Sequence, residues 1–509
     1  MNLAAAFEAI VAADAGRVAI HVDDRAWTRG EMQAAIVRAA TTLRTRWSVR
    51  RGDRVGYLGF NRVEELVLLF ALARIGAVFV PLNTRLAATE LVHIATHAQL
   101  SVLVTDAGHR DIGTAVAEGA RAQDTDVRLQ PVDDVVGASE PPDGVEAVEA
   151  VEAVDGETPL LLVYTSGTTG APKGALHTHR GLLANAAAAI AAHDMDRHDR
   201  VLTVLPLFHV GGLCIQTLPA LLVGASVVLH ARFDAQAWLD AVATVRPTLA
   251  LMVPATLRAV IAHRDWPNAN LSCLRVLMTG SSTIPRKLID AVHARGVPVG
   301  QIYGSTETGP VTVALKAADA RRKPGFAGWP CVPGSVRLTD ATGGEVEAGA
   351  VGEIVVRAPN LMQGYWREPL ATGFRDGWFA TGDLGRFDAD GCLEVVGRNR
   401  DLIISGGEHV YPAEVEDVLL SIPGVGDAAV IGVADEQWGE APVAFVVRTS
   451  DPAGLLLDPA MLVAAFDGRL ARFKHPRRIV FVDRLPRNAL GKVQGHLLHE
   501  RLAADAEAG

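Results

Sequence analysis

Along residues 54–83 the apolar positions fall into three blocks, RVGYLGFN, RVEELVLLFALARIG and AVFVPLN. The outer two read as short strands and the middle one as an amphipathic helix, the βαβ rhythm of a parallel sheet. Residues 88–98 carry helical spacing again, and SVLVTDAG (101–108) reads as a buried strand ending at a turn. The first third is therefore expected to be a doubly wound α/β unit, with its ligand edge at the strand carboxyl ends. Residues 138–157, ASEPPDGVEAVEAVEAVDGE, have too little side-chain diversity to pack and are expected to form an exposed connector. LLLVYTSGTTGAPKGALHTH (160–179) then runs from a strand into a Gly- and Thr-rich loop, and a second alternation of apolar runs and helices over 201–313 predicts a second α/β unit. Over 328–397 short strands separated by Gly and Asp turns predict a small β subdomain. Pro412, Glu414 and Glu416 mark a helix start, and the chain from about residue 400 reads as a small α+β domain.

A chain of 509 residues is too long for one core, and 49% apolar residues spread over it are ordinary for packed domains. The net charge of -10 disfavours nucleic acid, whose phosphates call for a basic field, and points to a small-molecule partner. Cys214, Cys273, Cys331 and Cys392 lack CxxC spacing, so neither a zinc site nor a disulfide framework is expected, in keeping with a reducing cytoplasm. The amino terminus lacks a basic n-region and no apolar run reaches the ~18 residues of a membrane span, so no export or spanning segment is expected.

The chemistry concentrates in YTSGTTGAPKG (164–174). Hydroxyls of Thr165, Ser166, Thr168 and Thr169, glycines that admit backbone N–H groups, and Lys173 together suit a polyphosphate. This is not the P-loop of kinases, because Gly174 follows Lys173 where that motif needs a hydroxyl. A bare Gly and Thr loop is also compatible with a plain surface turn.

This string resembles the phosphate loop of the adenylate-forming enzymes, the group of acyl-CoA synthetases, adenylation domains and luciferases. In the family's order follow PLFHVGG (206–212), YGSTETG (303–309), TGDLGRFDADG (381–391), GRNRDLIISGGEHVYPAEVE (397–416) and PRNALGKVQG (486–495). The resemblance covers nearly the whole chain, and its carboxyl-terminal half is most similar to fatty-acyl, aryl and succinylbenzoate CoA ligases. It implies an α/β amino-terminal AMP-binding domain over 1–398, built of two doubly wound subdomains and a β subdomain, and a mobile α+β domain over 399–509. It also implies ATP, Mg2+ and coenzyme A as reactants, a small carboxylic acid as substrate, and leaves a homodimer open.

Residue roles follow from the same resemblance. Thr165, Ser166, Gly167, Thr168, Thr169, Gly170 and Lys173 hold phosphates. Ser281, Ser282, Ile302, Tyr303, Gly304, Ser305 and Thr306 border the nucleotide, with Tyr303 stacked on adenine. Glu307, with Thr168, serves magnesium, although helix capping after Ser305 is the plain alternative. Asp383 suits both ribose hydroxyls, Arg398 the ribose and phosphate, and Lys492 the charge that builds on the α-phosphorus. His209 borders the carboxylate tunnel, with a self-satisfied buried histidine as its rival; Val210, Gly211, Gly212, Gly280 and Val311 complete the acyl pocket, unless Gly211 and Gly212 merely permit a tight helix start. Gly406 and Gly407 allow close approach of the pantetheine or form a simple turn, Arg472 and Lys474 suit CoA phosphates unless they are only a solvated face, and Arg400 stands at the hinge, where relatives usually carry Asp or Lys.

Two rivals share these motifs: a stand-alone enzyme loading a carrier protein, and a nucleotide-binding protein without chemistry, which intact Lys492, Glu307 and Asp383 disfavour. For the acid, a malonate ligase would place Arg where Ile302 stands, and a succinylbenzoate ligase would follow TET with Ser and Gln where Gly309, Pro310 and Val311 stand. An apolar aryl or medium-chain monocarboxylic acid is expected, with Ser281 and Ser282 available to a polar tail.

Overall fold

The computed structural model describes residues 1–136, 154–165, 172–280, 284–405, 408–435, 438–467, 469–488 and 491–507. Two large sheets share one core. The seven-stranded sheet runs Gly364–Tyr365, Lys173–Thr178, Pro159–Thr165, Val78–Pro81, Arg54–Leu58, Leu100–Thr105, Arg128–Pro131. The nine-stranded sheet runs Trp329–Pro330, Val313–Leu315, Val299–Tyr303, Val276–Thr279, Leu249–Met252, Arg200–Thr203, Ser226–Leu229, Val18–Val22, Arg25–Thr28. Their central pairs are parallel, as continuous Val and Leu runs dictate for strands covered on both faces.

The helix Val63–Ile75 differs from its amphipathic reading. Its residues from Leu66 to Ala73 are all buried, in a core that contains Val55 and Phe79 from one sheet and Val201 and Val227 from the other. A helix enclosed between two sheets needs apolar residues all round.

Three more elements depart from the sequence reading. Both strands flanking the Gly and Thr loop belong to the first sheet, as an antiparallel hairpin, and do not open the second unit. Trp329–Pro330 and Gly364–Tyr365 leave the β subdomain to cover the edges of the two large sheets. Within the segment read as an exposed connector, residues 138–153 lie outside the described residues; Val154 is buried and its carbonyl accepts from Asn2 Nδ2.

The β subdomain pairs Val336–Thr339, Gly352–Val356, Trp378–Phe387 and Phe374–Arg375, with Leu393–Arg398 joined to Trp378–Phe387. One short turn, Asn399–Asp401, separates Arg398 from Ile403–Ser405, which belongs to the last sheet. That five-stranded sheet packs against the helix Pro412–Ser421 and contacts Gly495–Glu507. Among the described residues no helix is long and apolar enough to cross a membrane.

Candidate active site

In the hairpin register Thr165 faces Lys173, so the two ends of the Gly and Thr loop return to one place. Ser166, Gly167, Thr168, Thr169 and Gly170 lie outside the described residues. Lys173 Nζ pairs with Glu368 Oε1 at 3.1 Å and lies over the Tyr365 ring. Thr165 Oγ1 donates to Glu307 Oε1 at 3.4 Å, and the Tyr365 hydroxyl donates to the same oxygen at 3.1 Å. Tyr365 and Glu368 were missed by the sequence reading. Their stretch, GYWRE, shows neither alternation nor helical spacing, and only the pairing of Gly364–Tyr365 with Lys173–Thr178 brings it here.

The strand Val299–Tyr303 delivers buried Ile302 and then Tyr303 to its carboxyl end. Tyr303 Oη donates to Asp383 Oδ2 at 3.0 Å, and Arg398 Nε meets Asp383 Oδ1 at 3.0 Å. Asp383 and Arg398 face each other across the pair Trp378–Phe387 and Leu393–Arg398, which fixes the ion pair by register. No helix follows Ser305 and Thr306: they form a turn in which Ser305 and Thr308 exchange backbone-to-hydroxyl bonds of 2.9 and 3.3 Å. The helix-capping alternative for Glu307 therefore has no helix to cap. Gly304 lies against the Pro310 carbonyl, 2.3 Å from where a Cβ would stand.

Lys492 reaches this group from the last domain. Burial and the field of Arg398 pull its pKa down to about 8, while Asp383 and Asp401 act in the opposite sense. The nearby Arg400 is exposed and pairs with Asp401 at 3.5 Å. Arg472 is exposed, whereas Lys474 is engaged by Glu414 at 2.5 Å and is not simply solvated. Gly406 and Gly407 lie outside the described residues.

His209 precedes a helical turn at Val210–Gly212 that widens into a π-turn over Leu213–Thr217. Burial pulls its pKa down to about 4, and its ring makes no hydrogen bond to a described residue. Val210, Gly211 and Val311 are buried beside this segment's core, as is Ile302. Gly212 packs so closely that a Cβ would stand 2.2 Å from the Pro206 carbonyl oxygen. Gly280 lies over Ile302, its would-be Cβ 3.0 Å from that carbonyl oxygen; Ser281 and Ser282 are outside the described residues. Asn185, unmarked in the sequence, ties the walls together: its Nδ2 donates to Cys214 O at 2.7 Å and its Oδ1 accepts from Val311 N at 3.1 Å.

Residues 7–366 match the family model of the AMP-binding enzyme, and 414–492 match the AMP-binding enzyme C-terminal domain. The chain belongs to the AMP-binding enzyme family. It is 44% identical over 492 residues to the indoleacetate–CoA ligase of Aromatoleum aromaticum, covering 94% of each chain. It is 42% identical over 473 residues to a feruloyl-CoA synthase of Amycolatopsis sp, covering 92% of each. Among solved structures, ATP-bound MatB from Rhodopseudomonas palustris superposes with a TM-score of 0.88 at 32% identity, over 98% of this chain and 99% of that one. This AMP-binding enzyme is an ATP-dependent, AMP-forming carboxylic acid:CoA ligase whose reactants are ATP with Mg2+, an acid and coenzyme A.

Proposed function

We propose that this ligase activates an apolar monocarboxylic acid, an aryl acid first and a medium-chain aliphatic acid second. The observation that carries the reading is that Val210, which follows His209, and Ile302 and Val311, which belong to the same apolar core, are 7%, 5% and 1% exposed, and none carries charge. A distal carboxylate buried among them is costly unless a cation meets it. Two relatives of matching length act, by their names, on indoleacetate and on a feruloyl group.

In the proposed mechanism Asp383 accepts the ribose hydroxyls, Tyr303 flanks the adenine, and Lys173 and Arg398 hold phosphates. Glu307 suits a magnesium ion because one carboxylate oxygen already gathers two hydroxyls, from Thr165 and Tyr365. Among the described residues no group of three metal-ligating side chains forms, so Glu307 would hold the ion together with phosphate oxygens. Magnesium, when bound, offsets phosphate charge. Lys492 stabilises the charge that grows on the α-phosphorus as the acid's carboxylate attacks it and pyrophosphate leaves. His209, uncharged at neutral pH, borders the carboxylate without repelling or trapping it. The small domain, which we place at 399–509 with Arg400 at its hinge, then turns so that the CoA thiol attacks the carbonyl and AMP leaves. Gly406, Gly407, Arg472 and Lys474 are assigned to the CoA side.

The test is kcat/KM for CoA ester formation with indoleacetate, ferulate, benzoate, hexanoate, octanoate, malonate and succinylbenzoate. An aryl acid is expected to lead; a clear lead for either diacid overturns the reading.

A further inference from the structure

The described residues on the two sides of the loop that carries Lys492 are tied together by hydrogen bonds. Gln494 N donates to Pro486 O at 2.9 Å, Asn488 N to Lys492 O at 2.8 Å, and Lys492 N to Asn488 Oδ1 at 2.9 Å. Arg487 bridges to Val493 through the backbone, and its guanidinium donates to the carbonyl of Gly491. The other side of that guanidinium grips Asp427, with Nη2 at 2.8 Å from Oδ1 and 2.7 Å from Oδ2. Arg487, Asp427 and the hairpin thus form one unit inside the last domain.

That unit is seated on one helix of the large domain, Pro254–Ile261. Arg258 Nη1 meets Asp427 Oδ1 at 2.8 Å, the Asp427 side chain being 13% exposed and that of Arg258 31%. Three residues earlier, on the same helix face, Ala255 Cβ lies 2.9 Å from where a Cβ on Gly491 would stand. Gly491 has φ +76, so the backbone of the hairpin tip touches the helix where no side chain fits. The helix supplies a steric seat at Ala255 and an ionic latch at Arg258. Because Arg487 stays with Asp427 when the last domain moves, Arg258 is the partner of this carboxylate that is lost on rotation.

We propose that Arg258 is a positioning residue for acyl-adenylate formation: by holding Asp427 across the domain boundary it seats the Lys492 hairpin in the nucleotide cleft, and its ion pair opens for the thioester-forming step. This rests on the reading of Lys492 as the cation of the first half-reaction. The pair is partly shielded, so its loss should weigh between that of an exposed and a buried pair.

The experiment measures two rates on each variant: acid-dependent ATP–pyrophosphate exchange, and CoA ester formation from supplied acyl-AMP. Arg258→Ala is expected to slow exchange roughly 3- to 30-fold while the second rate is unchanged or faster, Arg258→Glu to slow exchange further, and Arg258→Lys to recover most of it. If Arg258→Ala fails to fold, Arg258→Gln is read by the same two assays. Equal loss in both half-reactions, or no loss in either, overturns the proposal. Lys492→Ala, run alongside, separates the two readings: if it is selective for exchange and Arg258→Ala is not, only the latch fails, and if Lys492→Ala is itself unselective, the reading of Lys492 fails.

Discussion

Burial is the main reason that the Lys492 ammonium has its pKa lowered to about 8; Arg398 and Arg400 add to that fall and Asp383 and Asp401 work against it. Its charge is therefore present below pH 8 and lost above it. In the free enzyme, kcat/KM for ATP in pyrophosphate exchange should fall as pH rises through about 8, and Lys492→Arg should flatten that fall because a guanidinium keeps its proton. His209, with its pKa near 4, stays neutral from pH 5 to 8, so the same profile should show no step near 6.5. An inflection there that His209→Asn removes would mean that the ring titrates in the free enzyme. Lys492→Ala should cost exchange about 10²- to 10³-fold, the range for removing one transition-state donor, and leave thioester formation from acyl-AMP largely intact. Equal loss in both half-reactions would remove Lys492 from its assigned role.

At the scale of elements, the segment around His209 shows how one motif serves packing and chemistry together. Gly212 was read as leaving room for the acyl group or as permitting a tight helix start. Its Cβ position is closed by the backbone of Pro206 and Leu205, which fits the tight start of the turn after His209. Gly212→Ala is thus expected to lower stability by about 1 to 3 kcal/mol, as overpacking does, and to do so whichever acid is offered. Thermal unfolding followed beside an acid panel would decide this. A wild-type midpoint with a shorter preferred acid would return the glycine to the pocket.

At the scale of the whole molecule, Asn399–Asp401, a single helical turn with no buried residue, links the β subdomain to the strand Ile403–Ser405 of the last sheet. Such a short, exposed link absorbs a large backbone change at little packing cost. Arg400→Pro fits the φ of the helical turn seen here but narrows the alternatives, so single-turnover kinetics should show acyl-AMP formation preserved and CoA transfer slowed. Unchanged CoA transfer would place the hinge elsewhere.

Local sequence determined the elements: residues 54–83 form the strand, helix and strand read from them, residues 88–98 a helix, and Pro412 starts one, because apolar spacing and caps act within a few residues. Tyr303, Asp383, Arg398 and Lys492 were singled out by the resemblance of their motifs to the family, and the fold brings these four together. Which sheet each strand joins was decided only in three dimensions: Val18–Val22 and Arg25–Thr28 pair with a sheet whose other strands begin near residue 200, and GYWRE closes over the phosphate hairpin. Edge pairing depends on which backbone edges are left open after the core has packed, and no periodicity in the chain encodes that. The same holds for the pairs of Arg258 with Asp427, of Asn185 with the Val311 backbone, and of Tyr365 with Glu307: Arg258, Asp427, Asn185 and Tyr365 are ordinary polar residues in their own segments, and each partner lies far along the chain. Their roles come from a shared carboxylate or a buried amide, groups that need a partner only once water has been excluded around them.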